Sequence, residues 1–522
     1  MADYRDEAFF HRAETKELIN EIAGHEALVI YAGAGATMDM SALSWERLVT
    51  ELLEPHMQST ESREWLMKTL DPQKAASAAC QFYKDLYDKD AKGRILDRVR
   101  VALYKEGTWA GGALAKNIAE LIDRWYEHDR RACVVTPNFD DYIETELRDK
   151  VHKSTEPFFV DPDGPPIDIE LPNKDTPACV YLCGHAPRNG KSRAHPVLSE
   201  EDFLRNAVCS TELLTGVFER SNVLILGSSL VDPPLMTSLL HTAEHSRVNG
   251  KKRYALISLQ DDKWKEIPRD ISRDLRRAIY ERLAQFNVTP IFTDFYIQIG
   301  QFLQEVRTAV QERRGGCRYD HPLSKATYGA RLVSWWDGWW KWAFEFPADN
   351  QRKHHEYLMR MLDEQVRPKL KAPPGEHLKI EVWLRWNPKA ERKLCLWASS
   401  TGTWPDASSM QKLNISSKDE SGGREPTNSA MLAFTNGRPI LGETPPGAPT
   451  RWRSYLSAPI WYMHENGPVA VGVITLASDL EADGAEMSSI AKRNRARIAE
   501  VIPKLDNLGR QLADSKLWDD GA

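Results

Sequence analysis

Over roughly the first three hundred residues, short and nearly uninterrupted apolar runs alternate with stretches whose apolar residues recur at helical spacing. Runs at 27–32, 132–136, 178–183, 222–226, 254–258 and 288–292 predict strands. The segments 1–24, 45–104, 113–126 and 271–286 predict helices, the first of them amphipathic. Apolar strands separated by helices are the pattern of a parallel sheet covered on both faces. In such a sheet the polar residues that follow several strands converge on one crevice.

The pattern changes after residue 312. A charged, glycine-containing break at 312–322 predicts a domain boundary. Beyond it, Trp335, Trp339 and Trp342 recur at helical spacing, and 350–372 reads as a charged amphipathic helix. The usual meaning of such an aromatic stripe is core or interdomain packing; a ligand-stacking cage or an oligomer contact is the alternative. Strands are predicted at 378–386, 393–399, 431–434, 454–463 and 468–477, with polar loops at 400–430 and 441–451 and a closing helix at 488–513. The chain therefore reads as α/β, a Rossmann-like parallel sheet with helices on both faces, followed by an α+β unit with an antiparallel sheet. The expected division is 1–312, a linker at 313–324, and 325–522.

Length and composition narrow the class without naming a chemistry. At 522 residues about two or three domains are expected. A net charge of −6 gives no reason to expect nucleic acid or an acidic membrane surface. Arg385 and Trp386 with Lys389, Arg392 and Lys393 interleave basic and aromatic residues, but a solvated strand edge explains them better than base stacking. No apolar run is long enough to span a bilayer and the first residues are charged, so a cytoplasmic location is expected. The seven cysteines form no C-x-x-C pair, so no metal site is expected.

The candidate chemistry lies where the apolar runs stop. The first run leads into Gly33, Ala34, Gly35, Ala36 and Thr37, small residues that let backbone N–H groups approach a phosphate. This is not the full G-x-G-x-x-G pattern, because Thr37 and Met38 stand near the third glycine's place. A tight strand-to-loop turn explains it equally well. The second run ends in Thr136, Asn138 and Asp140, the third in Gly184 and His185, and the fourth in Gly227, Ser228, Ser229 and Asp232.

GAGAT with SWERL, then TPNFDDYIE, LCGHAPRNG with VLSEEDF, and LILGSSLVD follow the order and spacing of the sirtuin-like NAD-consuming family. Over about residues 20–300 the chain resembles its divergent bacterial branch, which acts in antiphage defence. The four paired cysteines of the deacylase branch's zinc ribbon are absent. The resemblance implies NAD+ as substrate and hydrolysis of its nicotinamide–ribose bond, depleting NAD+ on infection. It places Gly33, Ala34, Gly35, Thr37, Thr136, Gly227, Ser228, Ser229 and Asp232 at the dinucleotide, and Asn138 at the nicotinamide ribose or the attacking water. Where the family ends its third strand in His-Gly, this chain has Cys183-Gly184-His185, so either His185 serves as the displaced base or the base is lost. His195 is a second histidine nearby. Asp140 and Asp232 are open between a catalytic or binding role and helix capping.

Residues 325–515, with SAPIW and GPVAVGVITLAS, resemble a GAF-like sensory domain. That resemblance implies a small-molecule or protein trigger, or self-association into a homo-oligomer. A nucleotide-binding scaffold without turnover is the competing functional expectation, and an RNA-contacting immune subunit the third.

Overall fold

The computed structural model describes residues 9–41, 43–104, 113–151, 155–162, 171–173, 175, 177–260, 269–319, 324–386, 393–402, 411–415, 428–444, 450–482 and 487–518. Lys389, Arg392 and large parts of the loops expected at 400–430 and 441–451 lie outside them, as do residues 1–8 and 320–323.

Seven strands form the first sheet: β1 (Ala27–Ala32), β2 (Arg131–Thr136), β3 (Glu156–Phe159), β4 (Ala178–Tyr181), β5 (Asn222–Leu226), β6 (Arg253–Ser258) and β7 (Thr289–Thr293). Their order is β3-β4-β2-β1-β5-β6-β7, with every neighbouring pair parallel. After β1 the chain adds β2, the edge strand β3 and then β4 between them on one side, and crosses to β5 on the other. The topological switch is therefore the crevice between β1 and β5, where α/β sheets hold ligands.

Side chains alternate between two apolar layers, as the pleat requires. Leu28, Ile30 and Ala32 pack with the helices Ala13–Ile22, Ala113–Glu127 and Ile297–Arg314. Val29 and Tyr31 face the helices Glu200–Arg220 and Pro233–His241. Both faces of the sheet are thus covered, which is why its strands read as continuous apolar runs. A separate helical lobe, Trp45–Leu53, Thr60–Tyr87 and Ala91–Tyr104, has its own small core that includes Phe139 and Ala186.

The second sheet contains β8 (Leu378–Arg385), β9 (Lys393–Ser399), β10 (Lys412–Asn414), β11 (Ile440–Glu443), β12 (Ser454–His464) and β13 (Gly467–Ser478). Its order is β10-β9-β8-β13-β12-β11, antiparallel throughout. The helices Tyr328–Glu345 and Arg495–Ala513 pack on one face and Ser429–Asn436 on the other. Trp335, Trp339 and Trp342 are buried; Trp339 meets Trp397 edge-on at 4.8 Å, and Trp335 Nε1 donates to Ala513 O at 2.9 Å. The stripe is core.

One expected strand is a helix. Residues 431–434 lie within Ser429–Asn436, where the Asn428 side chain accepts from Ala430 N at 2.9 Å and Gly437 closes the C-terminus at φ +66°. A short apolar run carries no period of its own, and the flanking Asn and Gly decide its form.

Candidate functional site

Gly227 holds the crevice together. Its φ of +59° is left-handed, and a Cβ there would collide with Ala36 N. Gly33 N donates to Leu226 O and Gly35 N to Gly227 O, both at 2.9 Å. A Cβ on Gly33 would sit 2.6 Å from Gly227 O. The glycines are therefore required first by the contact between the loops after β1 and β5. Ala36 N and Thr37 N are also bonded within the loop, to Gly33 O and Ala34 O. Ala34 N–H is the loop's one donor without an acceptor among the described residues, and Ala34 is exposed.

Asn138, Thr37 and Asp140 form a directed chain beneath this loop. Asn138 Nδ2 donates to Gly33 O at 3.2 Å and to Thr37 Oγ1 at 3.1 Å; Thr37 Oγ1 donates to Asp140 Oδ2 at 2.9 Å. The acceptors fix the amide orientation and leave Asn138 Oδ1 as the end that can accept from a ligand. Thr136 sets the turn: its Oγ1 donates to Ala32 O at 2.7 Å and accepts from Asn138 N at 3.1 Å. Asp140 is buried, and burial raises its carboxyl to about 6 against the lowering effect of the Thr37 hydrogen bond. Its Oδ1 also accepts a long bond, 3.4 Å, from Tyr142 N, so the carboxylate both caps the helix Tyr142–Lys150 and holds Thr37.

Ser228 Oγ accepts from Leu230 N at 3.1 Å, and Ser229 is exposed beside it. Asp232 begins the helix Pro233–His241 and accepts from Tyr31 OH at 2.7 Å; burial raises its pKa. The structure thus brings together the residues after β1, β2 and β5.

His185 is held differently. It is 4% exposed, with its ring 4.7 Å from Tyr181 and 5.0 Å from Phe159. Its Nε2 lies 3.3 Å from Glu144 Oε2, which accepts from Tyr181 OH at 2.9 Å; neither ring nitrogen makes a hydrogen bond among the described residues. Burial lowers its pKa to about 4, so the ring is neutral near pH 7. The Cys183 thiol is pushed up to about 12 by burial, and His195 is half-buried with a lowered pKa of the same cause. Two backbone bonds tie this loop to the loop after β2: Ala186 N to Phe139 O at 2.7 Å, and Leu182 N to Thr136 O at 2.8 Å.

Sequence reasoning passed over Asp141, whose carboxylate accepts from Tyr104 OH at 2.8 Å and Arg188 N at 2.9 Å and so pins the helical lobe to the site. It also passed over Tyr31; a tyrosine in a buried strand needs a hydrogen-bond partner, and that was a usable signal. Among the described residues no three His, Cys, Asp or Glu side chains gather as metal ligands would. No helix among them is long and apolar enough to cross a membrane.

A family model described as a SIR2-like domain matches residues 132–291. The match takes in Thr136, Asn138, Asp140, His185 and Gly227 to Asp232, and begins after the Gly33–Thr37 loop. Among solved structures, a chain titled "Structural Basis for the Mechanism and Regulation of Sir2 Enzymes" is similar at 14% identity and a TM-score of 0.31, over 58% of this chain and 99% of that one. No curated protein matches. Residues 132–291 are therefore similar to SIR2-like domains, and the expected sirtuin-like region holds over that stretch.

Proposed function

We propose that the chain is an NAD+ glycohydrolase that breaks the bond between nicotinamide and ribose. The observation that carries the proposal is the Asn138–Thr37–Asp140 chain, which joins the loops after β1 and β2 beside the switch point between β1 and β5. NAD+ is the substrate. Ala34 N–H and the Ser228 and Ser229 hydroxyls are the donors available to its pyrophosphate, and Asn138 Oδ1 accepts from the ribose or the attacking water.

When the bond breaks, its electron pair goes to the nicotinamide nitrogen and C1′ develops oxocarbenium character. A water oxygen then bonds C1′ and gives up a proton, so the products are nicotinamide and ADP-ribose. The ionised Asp140 carboxylate, held through Thr37, supplies negative charge near that centre. His185 keeps the place of proton acceptor that the resemblance gives it, with its ring neutral.

A second reading is a nucleotide-binding subunit without turnover. The packing of His185 against the stacked Tyr181 and Phe159 rings, away from solvent, favours it. Nicotinamide release by wild type, Asn138→Ala and His185→Ala separates the readings. An active wild type with both variants dead supports the hydrolase; NAD+ binding without turnover supports the second.

The finer setting comes from the resemblance alone. It comprises a cytoplasmic, homo-oligomeric immune effector whose NAD+ hydrolysis follows phage infection. A 1–312 catalytic unit and a 313–324 linker precede a GAF-like 325–522 regulator in that setting. NAD+ levels in phage-challenged cells carrying wild type or Asn138→Ala test it.

A further inference from the structure

The second half of the chain reaches the carboxyl ends of the parallel strands through residues 435–438. Gln260, just after β6, is 6% exposed. Its Nε2 donates to Thr435 Oγ1 at 2.8 Å and to Asn436 Oδ1 at 3.2 Å, and its Oε1 accepts from Tyr296 N at 3.0 Å. Gly437 turns against Ile297, whose Cγ1 lies 2.9 Å from the place of a Cβ. Arg438 Nη1 then donates at 3.2 Å to the carbonyl of Met38, the residue that follows the Gly33–Thr37 loop. β5 stands between β6 and β1 in the sheet. Residues 435–438 therefore span the carboxyl edge from β6 to β1, the stretch that contains the switch point.

Arg438 has more to offer than this bond uses. A guanidinium carries five N–H donors and a fixed charge. The Arg438 side chain makes one hydrogen bond among the described residues, to a neutral carbonyl, and no carboxylate there pairs with it, the neighbouring Asp39 included. It is half-buried, where an unmatched charge is costly. Arg98, Arg124 and Arg307 are half-buried likewise, and each has a carboxylate: Glu51, Glu127 and Glu120. A neutral donor would serve the Met38 carbonyl equally well, so that bond does not explain the charge.

The candidate site lacks what Arg438 has. Ala34 N–H and the Ser228 and Ser229 hydroxyls are neutral donors, while Asp140 and Asp232 are carboxylic acids. A pyrophosphate is ionised at both phosphates near pH 7, and the planar fork of a guanidinium matches phosphate oxygens.

We propose that Arg438 binds the pyrophosphate of NAD+, so that the dinucleotide site is incomplete without the second half of the chain. The proposal rests on the NAD+ reading of the crevice. A change in the seat of residues 435–438 then changes ligand affinity, which gives the second half a direct hold on the site.

Calorimetric titration of the full chain with ADP-ribose tests this, because that ligand carries the pyrophosphate and has no nicotinamide bond to break. Arg438→Met is expected to weaken binding about tenfold or more, the scale of one charge-assisted hydrogen bond, and Arg438→Lys to fall between it and wild type. Added salt should weaken binding more steeply in wild type than in Arg438→Met. Equal affinity in wild type and Arg438→Met overturns the proposal. So do equal losses in the Met and Lys variants with the salt dependence unchanged, since Arg438 would then only tether Met38. If wild type binds neither ADP-ribose nor NAD+, the dinucleotide reading itself falls and takes the proposal with it. Binding without turnover removes only the hydrolase reading and leaves the Arg438 comparison standing.

Discussion

Arg331 and Glu305 form an ion pair with neither side chain exposed, and the pair joins the two halves of the chain. Glu305 lies on the helix Ile297–Arg314 that covers the parallel sheet, and Arg331 on the helix Tyr328–Glu345 that covers the antiparallel one. Tyr319 OH and Tyr328 N also donate to Glu305, while Arg331 Nη1 reaches Ala326 O at 2.6 Å and Asn466 O at 3.1 Å. Removing one partner strands a buried charge, which costs about 3–5 kcal/mol. Arg331→Met is therefore expected to lower the unfolding midpoint sharply. Glu305→Leu/Arg331→Met should lose less than the sum of the two single changes, as a double-mutant cycle in denaturant will show.

The hydrogen-bond chain makes a different kind of prediction. Thr37→Val keeps the shape of the residue but breaks the link between Asn138 and Asp140. Nicotinamide release should fall by about a hundredfold or more, the scale of one preorganised polar contact, with NAD+ binding reduced far less. An unchanged rate removes the chain from the mechanism.

The acid side of the pH–rate profile should report Asp140. Its carboxyl is raised to about 6 by burial, so the charge that the proposed hydrolysis calls on is present above that pH and lost below it. Protonation of His185 should add a further loss toward about 4. Asp140→Asn is expected to lower the plateau and abolish the limb near 6.

Stability should fall in acid through His354. This ring is fully buried, accepts from Trp397 Nε1 at 2.8 Å, and has its pKa lowered to about 3 by burial. Its folded pKa lies below the unfolded value near 6.5. The stability tied to its neutral form is complete above that value and is lost as pH falls toward the folded pKa. His354→Gln should flatten the dependence of the denaturation midpoint on pH between 6.5 and 4.

Two glycines with similar φ angles separate backbone strain from contact. Gly250, at φ +64°, has open space around the position of a Cβ; Gly227, at φ +59°, has Ala36 N and Gly35 in the way. Gly250→Ala should cost about 1–2 kcal/mol, the left-handed penalty alone. Gly227→Ala should cost more and should also abolish NAD+ binding.

The parallel sheet was legible because both of its faces are covered, which leaves six short, nearly uninterrupted apolar runs in the sequence. β3 was not, since Glu156–Phe159 is a half-buried edge strand of four residues with a proline inside. The site was legible where it follows strands directly, at Gly33, Thr37, Asn138 and Gly227. The environment of His185 depends on Phe159, Tyr181 and Glu144, and the contact of Arg438 with Met38 spans 400 residues. No local pattern encodes either.

The helix Ile297–Arg314 buries thirteen of its eighteen residues, Gln298, Gln301, Gln304 and Glu305 among them. A helix with so little exposed surface has no side on which a cut would be harmless. Severing the chain after it would leave a carboxylate without its arginine and apolar surface open to water, so a truncated first half should be insoluble. Whatever signal reaches one half of this protein is received by a body that contains the other.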